Sequence, residues 1–429
     1  MPKASDILGM NGRNQLFTSL NSKHSMSLAN SKIATNILME QHDIPTPKIH
    51  GLFATQEDVD EFDWSQLGDN FVIKPTSGLA GKGVLVFRKR LNDEPSWSDA
   101  LGKKWSLEDV KFHCYDILEG QYSHFGGPPT AILQERILIH PTLLRYVYKG
   151  TPDVRIIVFN RVPVMAMLRL PTKESEGRAN VHQGAIAAGI DIASGITTSA
   201  CTGKGIPIEV IPDTKIKLRG IKIPDWQSYL ETAVRAAEAC QLEYAGVDLF
   251  VSKEKGPMVV ELNARPGLTI QVANQAGLHR RLERVRDLNV LSIEHGVKIA
   301  RSLFAAPFSE RITTDEQIPI LTHSEESLVY DASKNATSAQ VLVNTGRFRS
   351  AISENLVRSL NLTEPENLLW YQEETKEGLA PVVEVKLRLK GKLVKSAMVV
   401  SKRLNKGTHQ IELGRRDLGG FLVKTEQPS

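Results

Sequence analysis

The sequence predicts an α/β fold of the α+β kind, followed by a smaller all-β domain. Three observations predict it. Strand and helix patterns alternate up to about residue 305, an acidic hairpin closes that region, and short strands with a single helix follow it. The 429 residues allow roughly two to three domains, each with its own core. We expect domains at 1–305, with a glycine-rich lid at about 46–135, and at 319–429, joined by a polar, Pro- and Thr-containing linker at 306–318.

The first helix pattern runs near Leu28 to Glu40, with Ile33, Ile37 and Leu38 as its apolar stripe, and ends at Asp43-Ile44-Pro45-Thr46-Pro47 because proline cannot continue a helix. Phe71 to Lys74 and Val84 to Phe87 read as strands around a glycine-rich turn. Ser106-Leu107-Glu108-Asp109 is a capping signature opening a helix to about Gly120. Further strands are expected at 131–134, 155–159, 164–168, 245–251 and 258–262. Helices are expected at 226–240 and, in a long pattern, at 278–304. In the second domain a helix lies near Ser353 to Leu360.

Composition excludes several classes. Hydrophobic residues make up 41% and charged residues 24%, and 53 basic against 49 acidic residues leave a net charge of +4 with no basic tract. Neither nucleic acid nor a membrane is therefore an expected partner. The opening Met1 to Asp6 lacks an apolar signal segment, and Cys114, Cys201 and Cys240 lack metal-ligand spacing, so a reducing cytoplasm is expected.

Two segments carry chemistry. Gly78-Leu79-Ala80-Gly81-Lys82-Gly83 joins two strands, and its glycines let backbone N–H groups approach phosphate closely. The spacing is not that of a P-loop, which needs a helix afterwards. A ligand-free hairpin turn would look the same, but Lys74, directly after three apolar strand residues, calls for an anionic partner. In the acidic hairpin, a turn at Lys253 to Gly256 pairs 252 with 257, 250 with 259 and Asp248 with Glu261, with Asn263 on the same face. Two facing carboxylates are destabilising unless a cation sits between them, and with the Asn263 amide they form a hard-oxygen set suited to magnesium.

With these pieces the chain resembles the ATP-grasp superfamily, in particular its alpha-L-glutamate-ligase-like branch, related to ribosomal-protein glutamate ligases, from about Ile7 to Leu282. The ordered matches are Leu8 to Asn14, Ser31-Lys32, Val72 to Pro75 with the glycine loop, Gln134-Glu135-Arg136-Ile137, Asp153-Val154-Arg155, Arg169, Asn180 to Gly184, and the hairpin ending in Arg265-Pro266-Gly267. The resemblance implies an ATP-grasp fold and an ATP- and magnesium-dependent carboxylate–amine ligase working through an acyl phosphate, with amino-acid and peptide or protein substrates. Lys32 and Lys74, with the loop residues Gly78, Gly81, Lys82 and Gly83, would hold the ATP phosphates. The edge at Gln134, Glu135 and Ile137 would receive adenine. Asp248, Glu261 and Asn263 would bind one or two magnesium ions, or manganese in their place. Arg169, Asn180 and Arg265 would steady the transferred phosphoryl group, with His182 either touching substrate or serving structure. Asp153 and Arg155 fit an internal salt bridge equally well. Many carboxylate–amine ligases carry a substrate-binding lobe before the lysine helix, and the short stretch before Lys32 leaves the substrate open, with glutamate implied only by the branch.

The C-terminal region resembles retropepsin-like aspartic peptidases at Ala339 to Ile352, with Asn344-Thr345-Gly346 where the family has Asp-Thr-Gly. Val382 to Leu387 and Ile411 to Leu418 support the match. Asn344 cannot act as the base that deprotonates water, so the peptidase is expected to be inactive, whether the asparagine is natural or introduced. The domain would then bind a peptide, form a homodimer, or only stabilise the ligase. Two competing readings are a peptidase-related protein with a regulatory ATP-grasp part, and a nucleotide- and peptide-binding scaffold.

Overall fold

A computed structural model describes residues 4–76, 82–91, 95–122, 129–305, 319–364, 367–374 and 378–424. The chain divides into two compact units, residues 1–190 with 197–283, and residues 191–196 with 284–429. The expected linker at 306–318 lies outside the described residues.

The first unit holds two sheets. One is six-stranded, from β1 (Ile49–Phe53), β2 (Phe71–Pro75), β3 (Leu85–Arg90), β4 (Ser96–Asp99), β5 (Lys104–Ser106) and β6 (Ala131–Glu135), in the order β1-β6-β2-β3-β4-β5. The helix Leu107–Leu118 opens with the expected capping box, Ser106 and Asp109 each bonding the other's backbone N–H. It buries Val110, Cys114 and Ile117 against Phe71, Ile73, Phe87, Trp97 and Leu133. Burial of that many large apolar side chains, at about 1.5–3 kcal/mol each, fixes the helix on the sheet.

The other sheet has seven strands: β7 (Asp153–Phe159), β8 (Val162–Leu170), β9 (Ile186–Ile190), β10 (Thr197–Cys201), β11 (Pro207–Ile208), β12 (Tyr244–Val251) and β13 (Pro257–Asn263), in the order β11-β10-β9-β8-β7-β12-β13. The helix Trp226–Ala239 covers it, burying Trp226, Tyr229, Leu230, Ala233, Val234 and Ala237 at the three- and four-residue spacing of one helical face.

The β12–β13 hairpin differs from its expected register. The tip pairs Val251 with Pro257 and Phe250 with Met258, one residue away from expectation, yet Asp248 does face Glu261. A β-bulge reconciles the two: Leu249 pairs with Val259 and Asp248 with Glu261, so Val260 is an extra residue on β13.

The first helix pattern is in fact two helices, Lys23–Asn30 and Lys32–Gln41, separated by Ser31, whose hydroxyl accepts from the N–H of Ala34. The expected apolar stripe is not the buried face. Thr35, Asn36 and Met39 are buried, and Ile37 is 48% exposed. The polar pair bonds nearby groups: Thr35 donates to Leu28 O, and Asn36 Nδ2 lies 2.9 Å from Thr46 Oγ1 and 3.0 Å from Pro47 O, while Asn36 Oδ1 is buried without a partner.

In the second unit, β15 (Ser324–Tyr330), β16 (Ala336–Asn344), β17 (Ala351–Ser353), β19 (Gly378–Leu389), β20 (Lys392–Ser401) and β21 (Ile411–Gly414) form a sheet that a β15–β19 pairing closes into a barrel, with β18 (Leu368–Glu374) on its edge. A short parallel pair joins β14 (Ile320–Leu321) to β22 (Leu422–Val423). Val341, Ile352, Val385, Leu387, Met398 and Ile411 fill the barrel core. The expected helix is present as Glu354–Ser359, capped by Ser353. The helix Ile293–Phe304 belongs by its contacts to this unit, although the sequence pattern grouped it with the first domain; His295 Nε2 donates to Leu369 O at 2.9 Å. No helix among the described residues is long and apolar enough to cross a membrane.

Candidate functional site

A cavity of about 660 Å³ opens within the first unit. Strand alternation supplies its floor. Met167 and Arg169 on β8, Asp153 and Arg155 on β7, Asp248 and Phe250 on β12, and Glu261 on β13 all line it. The opposite wall comes from Val72 and Lys74 on β2, Val86 on β3, Gln134 and Glu135 at the end of β6, and Ile137 just beyond it. Lys32, Asn180, Val181 and His182 complete the rim.

The floor carries a buried charge network. Arg155 Nε and Nη2 donate to the two oxygens of Asp248, both at 2.6 Å. Arg169 donates to both oxygens of Asp153, at 2.5 and 2.6 Å, and its Nη2 also reaches Asp248 Oδ2 at 2.7 Å. Asp248 is 3% exposed and Asp153 6%. Register makes this possible: Arg169 lies directly opposite Asp153 across β8 and β7, and Arg155 opposite Asp248 across β7 and β12. Arg155 is thus a salt-bridge partner, but of Asp248 rather than of Asp153. The two arginines pair with Asp153 and Asp248, so Asp248 does not depend on a metal ion for its countercharge.

These surroundings shift the acids in opposite directions. Burial pushes Asp248 upward, but Arg155 and Arg169 outweigh it and hold its carboxyl below the ordinary range. Glu261 opens onto the cavity yet has protein mass on most sides; this desolvation, with the charge of Asp248, raises it against the pull of Lys32. Lys74 is lowered to about 8, first by burial and then by Lys32, with Glu261 opposing.

As a magnesium site the residues fit in part. Glu261 presents an oxygen donor set to the cavity, whereas Asp248 already accepts three guanidinium hydrogen bonds and has only its remaining lone pairs to offer. Asn263 and Arg265 do not line the 660 Å³ cavity. They line an adjoining cleft of about 380 Å³ with Lys23, Met26, Ser27, Asn30 and Ala264. Among the described residues no group of three or more His, Cys, Asp or Glu side chains is arranged to hold a metal without other donors.

The remaining expected residues fall as follows. Lys32, Lys74, Gln134, Glu135, Ile137, Arg169, Asn180 and His182 all line the cavity. The Gln134 side chain is tied to Pro47 O at 3.0 Å, and Glu135 to Lys255 Nζ at 2.6 Å, so both are held by the protein itself. Asn180 caps a short turn, its Oδ1 accepting from His182 N at 3.1 Å. Lys82 is exposed and, like Gly83, does not line the cavity. Gly83 has φ +72°, and a Cβ there would lie 2.6 Å from the Tyr122 ring. Gly78 and Gly81 lie outside the described residues. Sequence reasoning missed the apolar part of the lining, Val72, Val86, Met167 and Phe250. Period-two alternation alongside Lys74, Arg169 and Asp248 was the signal that would have found it.

Distant pieces of sequence converge on the hairpin end. Arg13 Nη1 donates to Pro266 O at 2.9 Å, and Gly246 leaves room for Pro266, whose Cβ would stand 2.6 Å from any side chain placed there. This fixes the Arg265-Pro266-Gly267 turn beside the cavity.

Comparison with known proteins matches residues 11–287 to the family model described as sugar-transfer associated ATP-grasp. A probable alpha-L-glutamate ligase of Thioalkalivibrio sulfidiphilus is 24% identical over 249 residues, 58% of this chain and 60% of that protein. One from Picosynechococcus sp. is 34% identical over 120 residues, 28% of each chain. The chain therefore spans less than two thirds of the length of these curated relatives. Among solved structures, a D-alanine–D-alanine ligase from Bacillus anthracis is 14% identical with a TM-score of 0.34, over 68% of this chain and 74% of that one. With its family model covering well over half of its length, the chain belongs to the sugar-transfer associated ATP-grasp family.

Proposed function

We propose that the first unit is an ATP- and magnesium-dependent carboxylate–amine ligase. The observation that carries this reading is one cavity in which an apolar lining, two lysines and Glu261 stand over the Arg155–Asp248–Arg169 network. The apolar side chains of Val72, Val86, Met167 and Phe250 suit a flat base, and Ile137 lines the same cavity. Lys32 is the first residue of its helix, so its charge and the free N–H groups of that helix start both favour phosphate.

In this reading a substrate carboxylate oxygen attacks the γ-phosphorus, the bond to the β–γ bridging oxygen breaks, and ADP leaves with that electron pair. An amine then attacks the acyl carbon of the resulting acyl phosphate. Inorganic phosphate departs, and the amine's proton passes to solvent or base. Lys32, Lys74 and Arg169 offset charge that builds on the transferred oxygens. Glu261, with Asn263 and the open lone pairs of Asp248, would hold one or two magnesium ions, or manganese, and a bound ion would neutralise the β- and γ-phosphates. Arg265 would approach the acyl phosphate from the adjoining cleft. The transferred acid could be glutamate or another amino acid, joined to a peptide or protein.

The test is ADP formation from magnesium-ATP with amino acids, singly and in pairs, in this chain and in Glu261→Ala. Acid-dependent ADP that disappears in the variant is expected. Acid-dependent ADP that persists unchanged in Glu261→Ala would sink the reading.

The barrel supports a second assignment, a retropepsin-like module that binds rather than cleaves peptide and pairs with a second copy. Asn344 ends β16 beside Gly414 of the parallel strand β21, and its Oδ1 accepts from the N–H groups of Gly346 at 3.0 Å and Arg347 at 3.2 Å. An amide in that place shapes the loop without supplying a base. Peptide cleavage by the unaltered chain would refute this assignment.

A further inference from the structure

The barrel carries a cluster of charge that the ligase reading leaves unused. Residues 347–349 and 414–416 run side by side there. Arg415 N donates to Arg347 O at 2.9 Å and Arg416 N to Phe348 O at 3.0 Å, and a Cβ on Gly414 would lie 2.7 Å from Phe348 O. This close approach brings the half-buried side chains of Arg349 and Arg416 near enough for each charge to act on the other.

Arginines of this region fall into two kinds. Arg347 and Arg403 share the buried Glu412, with Arg403 Nη2 at 2.6 Å and Arg347 Nη1 at 3.8 Å from its Oε2. Arg349 and Arg416 have no such acid. The carboxylate of Asp417 is engaged elsewhere: its Oδ2 accepts from Ser350 Oγ at 2.5 Å and Ser396 Oγ at 2.6 Å. Ser350 Oγ in turn accepts from Gly414 N at 2.9 Å, so these bonds fasten β20 and the end of β21 to the residue before β17. Arg349 instead lies over the Trp370 ring, 5.0 Å from its centroid.

Nη1 of Arg349 and Nη1 of Arg416 are sealed from solvent and have no hydrogen-bond partner. They are closed to any ligand and show only that the charge is poorly compensated. Nε and Nη2 of both side chains are not sealed and make no hydrogen bond among the described residues, so they are the donors left for a ligand. Burial first, then Arg416, lowers Arg349 to about 10, with Asp417 opposing and Arg284 adding a third cation. Burial likewise lowers Arg416 against the pull of Asp417. Two guanidinium groups beside one carboxylate leave surplus positive charge in a partly desolvated place, which an anion offsets.

We infer that Arg349 and Arg416 form an oxyanion site on the barrel, taking the phosphoryl or carboxylate group of a small ligand through their open N–H groups. A planar guanidinium donates two parallel hydrogen bonds to either group, and stacking on Trp370 restrains the plane of Arg349. The site belongs to the second unit and does not rest on the ligase reading.

The experiment is equilibrium dialysis of radiolabelled phosphate and, separately, radiolabelled acetate against the full chain at fixed ionic strength in chloride. Magnesium and a saturating non-hydrolysable ATP analogue occupy the cavity of the first unit. One equivalent of anion is expected to bind, and Arg349→Met and Arg416→Met are each expected to weaken it at least about tenfold, as the loss of a charge-assisted contact would. Tighter phosphate would identify a phosphoryl ligand and tighter acetate a carboxylate, and both results uphold the site. In buffer free of both anions Arg416→Met should keep or raise Tm, because it removes one of two like charges. Binding of neither anion, or binding undiminished in the two variants, would overturn the proposal. So would a clear fall in Tm for Arg416→Met, since the arginine would then serve the fold.

Discussion

Arg169 holds Asp153 with two hydrogen bonds from directly across β8 and β7, and its Nη2 reaches diagonally to Asp248 two strands away. One guanidinium thus satisfies two buried carboxylates. Removing it strands Asp153 and leaves Asp248 to Arg155 alone. Arg169→Met is expected to lower unfolding free energy by about 3–5 kcal/mol, as for other broken buried pairs. Arg169→Met with Asp153→Asn should cost markedly less than the sum of the single changes. Urea denaturation of the three variants checks this, and additive losses would contradict it.

Glu261 is expected to separate activity from stability. Its carboxyl lies above the ordinary range, raised by desolvation and by Asp248. For an acid so raised, the folded state binds the proton more readily than the unfolded state does. Its charge therefore destabilises the fold once pH passes the unfolded value. Glu261→Gln should keep or raise Tm at pH 7 while reducing acid-dependent ADP formation at least about a hundredfold. Thermal melts beside an ADP assay decide it.

Nucleotide binding should take up a proton at alkaline pH. Lys74 is lowered to about 8, and phosphate beside it would restore the charged form. In the free protein the unfolded chain holds this proton up to about 10.5 while the folded chain loses it near 8, so Lys74 contributes stability that grows as pH rises through that window. ATP affinity should move the other way, weakening above about pH 8. Calorimetry at pH 9 in buffers of different ionisation enthalpy would show the uptake, and Lys74→Arg should abolish it.

Gly150 and Gly177 bring two loops of the cavity rim into contact. Gly150 has φ +72°, and a Cβ there would lie 1.7 Å from the carbonyl oxygen of Gly177. Gly150→Ala should fail to fold or lose several kcal/mol, on the order of a large core defect. Gly102→Ala, at φ +88° with open space around it, should cost only about 1 kcal/mol. Equal effects would show that the close approach is unimportant.

The parts of the site legible in sequence were those that depend on alternation. Phe71 to Lys74 and the Asp248–Glu261 pair follow from period two, so their strands and faces could be read directly, whereas Ala131 to Gln134 reads as a strand only by its apolar run. The expected tip register of the hairpin was off by one, and the bulge at Val260 restored the pair further along. The arginine network was not legible, because strand order decides whether Arg155 meets Asp153 on its own strand or Asp248 on the next. Equally hidden was the break at Ser31. Ile33, Ile37 and Leu38 imitate an apolar face, while local hydrogen bonds make Thr35 and Asn36 cheaper to bury than their polarity suggests. Asn263 and Arg265 lie on the expected strand end but turn into a second cleft, a distinction that only the position of the helix Lys23–Asn30 creates.

The unpaired Val260 makes the hairpin a counting device. Continued without the bulge from the Val251–Pro257 pair, the ladder would set Val260 opposite Asp248 and turn Glu261 to the far side of the sheet. Parity along this one strand, rather than the identity of its apolar residues, therefore decides whether the acid reaches the cavity. Losing a single residue between 257 and 260 would let a regular ladder set Glu261 opposite Asp248 without a bulge, whereas pairing the strand regularly at its present length would turn the carboxylate to the far face.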